Sequence, residues 1–171
     1  MEMIDDHHRG SKFIIWARYI PEIQLLIAAL EKRYGSGSVV AYYGKTDTAG
    51  RTEAEDRYCR DPRCRFFVGN PAAAGLGLTL ISGENDVMVY YSGTFAYIDR
   101  AQSEDRAHRI GQRNSVVVVD FVMKNTLDEA IQAAIAAKTD VDTFVKDWIN
   151  RGVAATGAFF SEEGLARALA A

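Results

Sequence analysis

The stretch DVMVYYSGTFAYIDRAQSEDRAHRIGQRNSVVVVDFV, Asp86–Val122, reads as strand, helix, strand. Asp86–Tyr91 is a short apolar run of β-formers. Ser115–Val122 is almost continuous in β-branched residues, the pattern of a parallel strand covered on both faces. Between them, Asp99–Gln112 (DRAQSEDRAHRIGQ) reads as a helix long enough to cross from one parallel strand to the next.

The same alternation extends outward. Towards the amino end lie a Gly/Ala-rich segment, Asn70–Leu80 (NPAAAGLGLTL), a strand at Arg65–Val68, a turn at Asp61-Pro62 and a charged helix from Arg51 to Cys59. Before them come the polar loop Gly44–Gly50, a strand at Ser38–Tyr42 and a break at Gly35-Ser-Gly37. A helix begins at Pro21, a favoured first helical position, and repeats Ile23, Leu26, Ile27 and Leu30 through Arg33. Lys12–Ala17 (KFIIWA) reads as a buried strand. Towards the carboxyl end, Thr126-Leu-Asp-Glu129 has the form of a capping box before a helix carrying Leu127, Ile131, Ala134 and Ile135, continuing towards Trp148. Ser161 opens a short terminal helix with Leu165 and Leu169 on one side. Five alternations predict a single α/β domain, a mainly parallel sheet with helices on both faces. Ligands of such sheets bind outside the carboxyl ends of the strands, where both the glycine-rich segment and the arginine-bearing helix begin.

Composition narrows the function classes. A net charge of −3 across 171 residues excludes a protein that coats nucleic acid with its whole surface, so any such contact is a local patch. Cys59 and Cys64 have no second pair, which argues against a disulfide framework or a zinc site and for free thiols in a reducing compartment. No apolar run reaches the roughly 20 residues of a membrane span, and the start, MEMIDDHHRGSK, lacks a signal peptide's apolar region.

Several constellations carry chemistry. Gln102, Arg106 and Arg109 are spaced i, i+4, i+7, which places an amide and two guanidiniums on one helix face before Gly111, a natural helix stop. Paired arginines suit a multiply charged anion such as a transferring phosphoryl group. The spacing equally fits a solvated helix laced by Glu104–His108 and Asp105–Arg109 pairs. Gly75 and Gly77 let backbone N–H groups approach phosphate or ribose, or serve only a tight connection; the third glycine of a dinucleotide fingerprint is missing. A Rossmann-like small-molecule enzyme using these glycines is one reading of the segment. Arg57, Arg60, Arg63 and Arg65 form a basic run that Asp56 and Asp61 interrupt, better read as a solvated face.

The string QSEDRAHRIGQ, Gln102–Gln112, resembles the sixth helicase motif of Swi/Snf-type ATPases, helicase-like translocases of superfamily two. NPAAAGLGLTL resembles the fifth motif of that family, with Asn70 in place of a serine, Ala74 of a glycine and Thr79 of an asparagine. KFIIWARY resembles the fourth motif, with Ala17 at the usual serine position and Arg18 offering a charge instead; Tyr43-Gly44-Lys45 with Arg51 downstream resembles a further loop of the family. The resemblance persists through SVVVVDFVMKNTLDEAI to FFSEEGLARAL, and thus covers Lys12 to about Leu169.

The resemblance implies a RecA-like (P-loop NTPase-like) fold. It divides the chain into a polar tail (1–11), a helicase C-terminal RecA-like domain (12–150) and a flexible segment with a short helix (151–171). The sequence contains neither G-x-x-x-x-G-K-[ST] nor an Asp-Glu pair ending an apolar strand. The family carries both in a first lobe, so the resemblance implies the second lobe of a two-lobe ATPase, inactive without the first. ATP and Mg²⁺ would be held mainly by that partner lobe, with no metal ligand expected from this chain. Arg109 is expected as the arginine finger, Arg106 as a γ-phosphate ligand, and Gln102, Gly75 and Gly77 on the nucleotide. Arg18, Gly44, Lys45 and Asn70 are expected on the DNA backbone, duplex rather than single-stranded. The compartment would be the cytoplasm of a bacterial or phage-infected cell, or a nucleus in a eukaryote. The competing reading is a non-catalytic module that binds nucleic acid or protein.

Overall fold

A computed structural model describes residues 4–5, 10–75, 78–82, 86–94, 96–107, 115–124, 126–138 and 143. Five strands, β1 (Lys12–Trp16), β2 (Val39–Tyr42), β3 (Phe66–Gly69), β4 (Asp86–Tyr90) and β5 (Val117–Asp120), form one sheet in the order β2-β3-β1-β4-β5. Every pairing is parallel, so all carboxyl ends lie on one edge. The crossovers are α1 (Ile20–Tyr34), α2 (Thr48–Arg60) and α3 (Tyr97–Glu104); α4 (Leu127–Ala136) follows β5. This is the predicted α/β architecture.

Alternation along the strands divides the core. Ile14, Trp16, Val40, Tyr42, Phe67, Met88 and Tyr90 face α2 and the 78–80 segment. Phe13, Ile15, Val39, Phe66, Val68, Val87 and Val89 face α1, which contributes Ile23 and Leu30. The first face is built around Phe67, whose ring meets Trp16, Tyr42 and Tyr58 at centroid separations of 5.5–5.8 Å. Gly69 ends β3 because nothing larger fits: a Cβ there would sit 2.8 Å from the Tyr42 carbonyl oxygen and 3.0 Å from the Trp16 ring.

The helices start and stop for local reasons. Glu22 accepts from the Tyr19 N–H at 3.3 Å, Pro21 lies in the first turn of α1, and Gly35, at φ +98°, closes it. Asp47 caps α2 by accepting from the Gly50 N–H at 2.8 Å. At the other end of α2, buried Lys12 donates to the carbonyls of Tyr58 (2.5 Å) and Asp61 (3.0 Å), a cation on the helix's negative pole. Thr126 caps α4, accepting from the Asp128 N–H at 3.3 Å. Ile131 of α4 packs on Gly93, where a Cβ would come within 2.9 Å of its Cγ2.

Three expectations change. The stretch read as a helix over Asp99–Gln112 begins at Tyr97 and ends at Glu104. Its last N–H groups form short i to i−3 bonds, Arg106 to Ser103 at 3.3 Å and Ala107 to Glu104 at 3.2 Å, while the Arg106 carbonyl accepts from the Leu80 N–H at 3.0 Å. The 78–80 segment thus draws the chain out of the helix well before Gly111. Second, β5 is not covered on both faces among the described residues: Val117 is 45% and Val118 38% exposed. Among the described residues it pairs only with β4, at the margin of the sheet. Third, the polar start takes part in packing. Ile4 is buried against the α1 face, and the Asp5 carboxylate accepts from the Tyr34 hydroxyl at 2.8 Å and from Arg33. The proposed continuation of α4 to Trp148 and the terminal helix at Ser161 lie outside the described residues.

Candidate functional site

The carboxyl edge of the sheet is stitched at the point where β1 lies between β3 and β4. The Arg18 N–H donates to the Ser92 hydroxyl at 2.7 Å, and the Arg18 carbonyl accepts from the Asn70 amide at 2.7 Å. The Asn70 side-chain Oδ1 accepts from the Ala72 N–H at 2.9 Å, which starts the 3₁₀ turn Pro71–Gly75. Ser92 Oγ donates to Glu22 at 2.7 Å, tying the same junction to the first turn of α1. The order of strands reverses here, the place where sheets of this kind are expected to bind their ligands.

Each predicted residue has a place relative to that edge. Arg18 is half-buried, with its guanidinium 5.5 Å from the Tyr19 ring centroid. Asn70 uses both ends of its amide within the chain. Gly44 and Lys45 are exposed in the turn after β2, and nothing lies within 4 Å of a Cβ built on Gly44. The turn is held by Arg51, whose Nε donates to the Thr46 carbonyl at 3.0 Å. Gly75 ends the 3₁₀ turn, against which α3 packs, so the glycine-rich segment and the arginine segment do meet. Gln102 is half-buried in the last turn of α3. Gly77, His108, Arg109 and Gly111 lie outside the described residues.

Arg106 is turned inward. It is 9% exposed, its Nη1 lies 3.5 Å from the Leu78 carbonyl oxygen, and its Nε is buried with no hydrogen-bond partner among the described residues. A guanidinium held by one long contact among the described residues keeps most of its donor capacity for an anion.

The residue that sequence reasoning missed is Arg100. It is 5% exposed, donates from Nη1 and Nη2 to both carboxylate oxygens of Asp120 and from Nε to Glu104, and stacks 3.5 Å from the Tyr90 ring centroid. Burial works most strongly against its charge, yet the bonds to Asp120, the neighbouring Tyr90 and the bond to Glu104 leave its pKa above the ordinary arginine value. Burial likewise pushes the Tyr90 hydroxyl up. The i, i+4 spacing of Arg100 and Glu104 and the aspartate ending a valine run were the available signals.

The basic run behaves as a set of local contacts. Arg57 donates to the Gly37 carbonyl at 2.8 Å, Arg60 pairs with Asp56 and Arg63 with Asp61, and Arg65 stacks near Tyr34 and Phe66.

An all-parallel sheet with an arginine segment laid against a glycine-rich turn is the layout of a helicase-type RecA-like lobe. Residues 1–111 match the helicase conserved C-terminal domain, and the chain belongs to that family. It is 28% identical over 136 residues to the ATP-dependent helicase fft3 of Schizosaccharomyces pombe, covering 78% of this chain and 14% of that protein. Against the chromatin-remodeling ATPase INO80 of Candida albicans it is 28% identical over 143 residues, 84% of this chain and 10% of the relative. Among solved structures, the C-terminal part of the Fun30 ATPase domain superposes with a TM-score of 0.67 at 22% identity, over 77% of this chain and 41% of that one. The Sulfolobus solfataricus SWI2/SNF2 ATPase core gives 0.59 at 26% identity, over 81% and 26%. The chain thus spans about a tenth to a seventh of the length of these two relatives. Among the described residues, no helix is long and apolar enough to cross a membrane.

Proposed function

We propose that this chain is the C-terminal lobe of an ATP-dependent DNA translocase or helicase, completing an ATPase site whose other half is an N-terminal RecA-like lobe. The observation that carries the reading is Arg106: a buried guanidinium beside the glycine-rich segment whose Nε has no partner among the described residues, suited to a phosphate oxygen. ATP with Mg²⁺, bound mainly by the first lobe, would supply the phosphoryl group and its electrophilic phosphorus.

This lobe's residues orient and neutralise. Arg109 acts as the arginine finger and Arg106 as a γ-phosphate ligand, cations aimed at charge that grows in the transition state. Gln102 supports the nucleotide from the last turn of α3, and the backbone at Gly75 and Gly77 lines its edge. Arg18, Lys45 and the N–H groups near Gly44 and Asn70 face a duplex DNA backbone, which positions the lobe without reading sequence. The Sulfolobus core has been solved in complex with double-stranded DNA, and that structure superposes at a TM-score of 0.60 and 24% identity over 88% of this chain and 30% of that one. Closure of the two lobes on ATP, and release after hydrolysis, moves the pair along the strand only if each nucleotide state prefers a different spacing. The setting is the compartment that holds the DNA, a bacterial or phage-infected cytoplasm or a nucleus.

The inward pose of Arg106 is also what a non-catalytic binding module would show. Mixing separates the two: the chain, a cognate first lobe and duplex DNA should hydrolyse ATP faster than either protein alone. A mixture no faster than the first lobe alone leaves the module reading standing.

A further inference from the structure

We propose that Arg100 is a positioning residue, which fixes the direction in which the chain leaves α3 and so where Arg106 is presented. Its consequence for catalysis rests on the ATPase reading above; the anchoring rests on geometry.

Arg100 sits one turn before Glu104, the last residue of α3. Its three partners come from three elements: Asp120 at the end of β5, Tyr90 at the end of β4, and Glu104 of its own helix. The Tyr90 hydroxyl meets Ser103 Oγ at 2.6 Å, and Ser103 Oγ also reaches the Arg100 carbonyl at 2.8 Å. The rotation and height of the last helical turn are therefore set against the ends of two strands. From there the Ser103 carbonyl accepts from the Arg106 N–H and the Arg106 carbonyl from the Leu80 N–H. A connected path runs from Asp120 through Arg100 and Ser103 to Arg106 and Leu80.

The chemistry requires arginine. Two N–H groups meet one carboxylate side by side while a third, at a fixed angle, meets another. Only a planar fork does this; a lysine ammonium carries charge without that geometry. Stability gives no reason to bury such a group, because apolar replacement of a buried ion pair is often neutral or stabilising. Fixing one arrangement among alternatives does give a reason.

Hydrogen exchange on the full chain tests the anchoring. Arg100→Gln should speed exchange at the Leu80 amide at least tenfold while the Phe13 and Ala17 amides of the central strand keep their wild-type rates. Unchanged protection at Leu80 overturns the proposal. If Arg100→Gln also loosens the central strand, Asp120→Asn removes one partner alone and is judged by the same two outcomes.

ATPase of the chain paired with a first lobe tests the consequence. Arg100→Gln should lower kcat at least tenfold with KM for ATP within twofold, and Arg100→Lys should not rescue it. In an Arg106→Ala background Arg100→Gln should cost nothing further; a full, additive loss there marks a merely structural role and overturns the proposal. If the wild-type pair hydrolyses nothing, the ATPase reading has failed, and hydrogen exchange alone decides the anchoring.

Discussion

Two polar clusters sit at opposite ends of the central strands and are built differently. At the amino end, Asp86 is fully buried and accepts from the Tyr58 hydroxyl at 2.9 Å and the Ser82 hydroxyl at 2.7 Å, while Lys12 closes the end of α2. Burial, and then the Asp86 charge, push the Tyr58 hydroxyl well above the ordinary tyrosine value, so it remains a donor. At the carboxyl end, Trp16 Nε1 and Arg106 Nε are buried without acceptors among the described residues, and Lys45 stands in solvent. An unmade buried hydrogen bond costs on the order of 1–3 kcal/mol, so the first cluster secures the fold while the second holds donors in reserve.

That contrast can be broken by mutation. The largest effect should come from the reserve side. Arg106→Ala should lower the ATPase rate of the reconstituted pair by about 10³-fold, near 4 kcal/mol of barrier, while urea denaturation shows a change within about 1 kcal/mol. Asp86→Ala should do the reverse. It leaves the buried Tyr58 hydroxyl without its acceptor and should cost about 2–3 kcal/mol in urea denaturation, with ATPase per folded molecule unchanged. Gly69→Ala, which drives a Cβ into the Tyr42 carbonyl at 2.8 Å, should cost about 1–3 kcal/mol, read from the thermal midpoint.

The smallest effect concerns the amino-terminal clamp. The Tyr34 hydroxyl and then the Arg33 guanidinium hold the Asp5 carboxyl below the usual carboxylate value. A lowered acid pKa stabilises the fold fully above its unfolded value, about 4, and that contribution disappears as pH falls through the lower folded value. Wild type should melt slightly above Asp5→Asn at about pH 6, and the two should converge towards pH 2. A gap that widens in acid would contradict the clamp.

The sheet was legible because its signal is periodic. Apolar strands and the Ile23–Leu30 repeat fix burial whatever surrounds them, and the observed strands begin and end within about two residues of the expected ones. The end of α3 was not legible. Glu104 to Gln112 continues as plausible helix, and what stops it is a backbone bond from Leu80, more than twenty residues away in sequence. The joining of the glycine-rich and arginine segments was readable from the rule for parallel sheets, whereas the inward turn of Arg106 depends on that same distant bond. Arg100 escaped because its partners lie on β4, α3 and β5, and no local pattern announces a three-element cluster. The exposed Val117 and Val118 show the converse limit: a β-branched run says that a strand forms, not that both its faces are covered.

The most direct measurement is the affinity of this chain for a first lobe, on duplex DNA, with and without a transition-state mimic such as ADP, magnesium and aluminium fluoride. A site completed between two bodies should bind at least a hundredfold tighter with the mimic, and Arg109→Ala should erase the gain. Equal affinity in both conditions, or an unaltered gain in Arg109→Ala, would contradict the assignment of this chain as half of an ATPase.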